Sequence, residues 1–106
     1  MITDHDAERC LDYIRDTAAL YAQAKADRVY LEQFRKSKKA ILVRECSGTI
    51  QERDSYAYAH REYQELLLGL KEAVHEEERL KWLLIGAQAK LDAWRTMSAN
   101  ERKATK

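Results

Sequence analysis

The stretch that decides the fold is REYQELLLGLKEAVHEEERLKWLLIGAQAKLDAW, Arg61 to Trp94. Steps of three and four residues along it pick out Tyr63, Leu66, Leu70, Ala73, Glu77, Leu80, Leu84, Ala87, Leu91 and Trp94. A helix brings such positions to one face, so this is a coiled-coil seam with one charged intruder, Glu77. No proline interrupts it. A long helix with one apolar stripe needs a partner, and the rest of the chain must supply it or a second copy must.

Upstream, a first helix should start at Thr3 or Asp4, either of which can cap, with Asp4, Asp6 and Glu8 set against the positive end of its dipole. It should run over about 4–45. Its faces are less regular. Leu11, Ile14, Ala18 and Tyr21 form one stripe, which continues through Lys25 and Arg28 to Leu31, Arg35 and Leu42. Beside it lie Leu20, Ala24, Leu31, Phe34 and Ile41. Ser47-Gly48 then stops the helix, and TIQE, Thr49 to Glu52, is a capping box that starts another. The linker is 46–59 and the second long helix about 60–97; whether helix runs unbroken from Ile50 or bends near Ala59-His60 is left open. Residues 1–98 make one helical domain, and 99–106 a flexible basic tail.

Folded back about this linker, the two long helices pair antiparallel, and paired residue numbers should have a constant sum near 105. Leu11 then falls opposite Trp94, Ile14 opposite Leu91, Ala18 opposite Ala87, Tyr21 opposite Leu84 and Leu42 opposite Tyr63. The two intruders, Arg28 and Glu77, meet as a structural ion pair. Charge agrees: residues 1–24 and 45–78 carry −3 and −6, residues 25–44 and 79–106 carry +5 each. Antiparallel pairing sets unlike signs together, which argues for register more than for stability, since exposed pairs contribute only about 0–1 kcal/mol each. The expected fold is an all-α antiparallel helical hairpin, coiled-coil-like, with a short helical linker. Leu20, Val29, Tyr30, Trp82, Leu83 and Ile85 lie off the seam, so the hairpin should self-associate into a dimer or larger helical bundle.

The composition fits this reading. Among 106 residues, 35% are charged, 45% are hydrophobic, three are glycine and none is proline, the balance of long helices. A net charge of +1 excludes a strongly basic nucleic-acid binder or an acidic mimic, though not a local patch. No apolar run approaches membrane-span length and no signal peptide is evident, so a cytoplasmic protein without membrane contact is expected. Cys10 and Cys46 fall near opposite ends of one helix, about 54 Å apart at ~1.5 Å per residue, too far to bridge.

The sequence offers little chemistry. HEEER, His75 to Arg79, has Arg79 where a zinc helix needs its second histidine. His5 and His60 have no ligand-spaced partners and read as cap or surface residues. Asp12 and Asp16, one turn apart, read as exposed helix charges. Without loops to build a pocket, no enzyme, metal or cofactor is expected. FRKSKKA, Phe34 to Ala40, is the best candidate site. Arg35, Lys36, Lys38 and Lys39 span just over one turn, so some must face away from an acidic partner helix, where they can meet phosphates. Tyr30 and Phe34 lie nearby for stacking. Arg102, Lys103 and Lys106 add charge at the C-terminus.

The words AKADRVYLEQFRKSKKA, QERDSYAYAHREYQELL and AQAKLDAW resemble small, uncharacterised helical proteins encoded by tailed phages and prophages of proteobacteria, near recombination and replication genes. The resemblance covers most of the chain but carries no assigned chemistry or functional residue. In that family a proline tends to follow the AYAH histidine, where Arg61 stands here. The resemblance implies a non-enzymatic accessory of phage DNA recombination or replication in the bacterial cytoplasm. Such a protein would bind single- or double-stranded DNA, or a phage recombination protein, through Arg35, Lys36, Lys38 and Lys39. The alternative is an inhibitor or adaptor of a host protein, of the anti-defence type, docking through Tyr30, Trp82, Ile85, Tyr56 and Tyr58.

Overall fold

The computed structural model describes residues 3 to 104. The chain is all-α: α1 (Asp4–Val43), α2 (Ile50–Ala59) and α3 (Arg61–Ala104), with α1 and α3 as an antiparallel hairpin joined through α2. Each boundary has a local cause. At the start of α1, Thr3 and Asp6 form a reciprocal capping box: the Asp6 amide donates to the Thr3 hydroxyl at 3.2 Å, and the Thr3 amide to the Asp6 carboxylate at 3.0 Å. After Val43 the chain tightens, the Arg44 and Glu45 amides donating to the Ile41 and Leu42 carbonyls. Gly48 then takes φ 128°, a conformation that residues with a Cβ rarely adopt, and the Glu52 carboxylate lies over the place a Cβ would occupy. Thr49 accepts from the Glu52 amide at 3.1 Å and starts α2.

The bend falls at His60. Its φ of −63° and ψ of 139° take it out of the helix, its amide donates to the Ala57 carbonyl, and its own carbonyl accepts from Gln64. The ring works too, Nδ1 accepting from the Glu62 amide at 3.0 Å. One residue thus closes α2 and caps α3, without a proline at position 61. At its far end α3 runs on to Ala104, beyond the end expected near 97. Glu101, Arg102, Lys103 and Ala104 are good helix formers, and the two cations lie where the helix dipole favours them.

Contacts divide the chain into two compact units: residues 1–22 with 78–106, and residues 23–77. In the first, Ala7, Cys10, Thr17, Leu80 and Leu91 are buried, with Ile14, Tyr21, Leu84, Ala87 and Trp94 half-buried. The α3 seam therefore faces inward as its spacing predicts. The α1 seam does so in part: Ile14 and Tyr21 turn inward as expected, but Leu11 is 51% exposed and Ala18 is exposed, while Cys10 and Thr17 lie inside. The Cys10 thiol donates to the Ala87 carbonyl at 3.3 Å, a pair whose numbers add to 97 rather than 105. The expected pairing of Leu11 with Trp94 and Ala18 with Ala87 is thus displaced by about one heptad. An apolar heptad repeat looks alike after such a slide, so the seam alone cannot detect it.

The second unit has its core at the end of α1. Leu42, with no exposed surface, packs with Ala57 and Tyr63, and Val43 and Leu67 close around them. The end of α1 is therefore spent on α2: Lys39 pairs with Asp54 at 3.7 Å, and Tyr56 donates to Glu45 at 3.2 Å. A linker taken as a simple turn misses this overlap.

Arg28 and Glu77, also in this unit, form a bidentate pair, Nε to Oε2 at 2.6 Å and Nη2 to Oε1 at 3.0 Å. Arg28 also reaches Glu32 at 3.0 Å. Side chains on a helix lean toward its N-terminus, so long ones on antiparallel helices lean toward each other. Within this unit Arg28 with Glu77, like Leu42 with Tyr63, keeps the expected sum of 105. Glu77 is 8% exposed, and the guanidinium is pushed further up, first by its bond to Glu77.

Candidate functional site

The basic run lies on the last turns of α1, in the second unit. Its four cations have different surroundings. Lys38 pairs with Glu62 of α3, which holds the Glu62 carboxyl below the usual range. Lys39 lies 4.5 Å from the Tyr58 ring centre as well as beside Asp54; its bond with Tyr58, ahead of the Asp54 charge, raises the ammonium. Arg35, half-buried, and Lys36, exposed, have no acidic partner among the described residues. With Lys39, Tyr58 and Tyr63 these two line an open groove of about 420 Å³. The tyrosine rings meet edge to face, centroids 5.4 Å apart.

The sequence separates Tyr58 from the basic run and groups it with protein-contact candidates; α2, folding back along α1, brings the two together. The only signal for this was the capping box that marks α2 as a helix able to pack. Tyr56 stands apart from a free docking surface. Its hydroxyl is committed to Glu45 and its ring packs edge-on to His60 at 5.6 Å. Burial, then the bond to Glu45, pushes the phenol up.

Tyr30 and Phe34 stack on each other at 5.9 Å and 11°, Tyr30 being 66% exposed. At about 100° per residue Phe34 and Lys36 point to opposite flanks of α1, so this aromatic pair does not belong to the basic groove.

The first unit holds another open groove, of about 620 Å³. Trp82, Leu83, Gly86, Ala87 and Lys90 of α3 line it with Asp6, Arg9, Cys10 and Tyr13 of α1. Trp82 is 63% exposed, and a Cβ at Gly86 would meet nothing within 4 Å. Leu83 was expected to drive self-association with Trp82; Gly86 and Tyr13 were not singled out, because the seam pattern describes only the inner face. Ile85 is exposed nearby in sequence.

Among the described residues no three His, Cys, Asp or Glu side chains gather as a metal site, and both thiols are free. Asp12 and Asp16 both pair with Arg15, at 3.6 Å and 3.3 Å. No described helix is long and apolar enough to cross a membrane. Arg102 and Lys103 lie in the last turn of α3; Lys106 lies outside the described residues. No protein-family model, curated protein or solved structure matches the chain.

Proposed function

We propose that the protein is a non-enzymatic accessory of phage DNA recombination or replication that binds a nucleic-acid strand along the groove between α1 and α2. The observation that carries the reading is the company kept by Arg35 and Lys36: two cations without a carboxylate, beside Lys39, Tyr58 and Tyr63. Single-strand binders combine cations that follow phosphates with aromatic faces on which bases stack. Arg35 and Lys36 are the phosphate contacts, and Tyr58 is the stacking surface. Lys38, bonded to Glu62, contributes less. The resemblance to phage-encoded proteins supplies the setting.

Titration of a dT oligonucleotide and of duplex DNA against salt tests it. Wild type should prefer the single strand, and Arg35→Ala with Lys36→Ala should reduce the log–log salt slope by about 1.4, at ~0.7 per phosphate contact. Tyr58→Ala should weaken binding without changing the slope. No binding at low salt ends the proposal.

The stacked, exposed Tyr30 and Phe34 favour a second reading, docking of a phage or host protein as an inhibitor or adaptor. It gains if DNA binding fails and a partner co-purifies with wild type but not with Tyr30→Ser, Phe34→Ser.

A further inference from the structure

We infer that the Trp82 groove of the first unit is the seat of a second copy of this chain, held by an antiparallel, two-fold pairing of α3 with α3. Three observations meet here. Trp82 is 63% exposed, and large apolar side chains beside it, Tyr13 and Leu83, are exposed as well. One turn further along α3 stands Gly86, with open space where a side chain would be and a groove of about 620 Å³ around it. A knob and a hole four residues apart on one helix are self-complementary under a two-fold axis midway between them: Trp82 of each copy covers Gly86 of the other.

The charges of α3 select the same arrangement. The helix is acidic from Glu62 to Glu78 and basic from Arg79 to Lys103. Antiparallel pairing about residue 84 sets Glu78 level with Lys90 of the second copy. A parallel pairing would oppose like halves. The inference is independent of nucleic-acid binding, which uses the other unit.

Sedimentation equilibrium of the full chain tests it with two substitutions of opposite kind. Trp82→Ala removes the knob. Gly86→Leu fills the hole; its Cβ meets nothing within 4 Å in its own chain and leucine favours helix, so it should leave the helical circular dichroism intact. Wild type should be a dimer, and each substitution should weaken self-association about thirtyfold or more, as for a tryptophan anchor. A wild-type monomer at about 100 µM, a concentration that would populate any dimer held by more than about 5–6 kcal/mol, overturns the inference; so does an assembly that survives either substitution.

Discussion

Arg28 and Glu77 interrupt their seams at residues that a heptad would fill with apolar side chains, yet their bidentate geometry satisfies both groups. Such a pair aligns helices more than it stabilises them, because desolvation offsets most of the Coulomb attraction. Glu77→Gln should therefore lower stability by about 1–3 kcal/mol, leaving a half-buried guanidinium short of one partner. The double change Arg28→Met, Glu77→Leu should recover that loss or exceed it, read by urea denaturation. The Thr3 amide, and then its hydroxyl contact, hold Asp6 below the ordinary range, and Lys38 does the same to Glu62. A carboxylate depressed in the folded state stabilises fully above its unfolded pKa, here about 4, and the contribution disappears as pH falls through the lower folded value. Thermal midpoints should thus decline below about pH 4, and Asp6→Asn with Glu62→Gln should flatten that decline.

Among the elements, α2 separates what the sequence discloses from what it conceals. Its start was legible because Thr49 and Glu52 bracket a capping box and Gly48 precedes it, all local chemistry. The inward face of α3 was legible for the same reason: periodicity is written in the residues themselves. The docking of α2 on Leu42 was not, because it depends on which surface lies within reach once α1 has ended. Consequently the grouping of Tyr58 with Lys39 was missed, and the α1 seam was placed on Leu11 and Ala18 instead of Cys10 and Thr17. His60 carries a separate expectation. It is extended at ψ 139°, the conformation required before proline, and residue 61 is the first of a helix, where a missing amide is harmless. Arg61→Pro should be accepted and should raise stability by about 0.4–1 kcal/mol by restricting the unfolded chain, less the small contribution of the exposed Arg61–Glu65 pair at 2.8 Å. Chemical denaturation showing a loss of helix would place the junction elsewhere.

At the scale of the molecule, hairpin and class followed from one stripe, whereas register required knowledge of the linker. Seven-residue repeats make neighbouring alignments nearly isoenergetic along the seam, so the choice among them rests on features that do not repeat. Leu42 with Ala57 and Tyr63 is such a feature, and its members lie close together in the chain. That proximity has a consequence in time. Short loops close at low entropic cost, so folding should begin by docking α2 on α1 and zip outward, with the helix ends joining last and already aligned. Leu42→Ala should then slow folding by most of its stability loss of about 2–5 kcal/mol. Leu91→Ala, buried among the last contacts to form, should instead mainly accelerate unfolding. A chain that closed from the free ends could be caught a heptad out of step; one that closes from α2 never samples the slipped alignment.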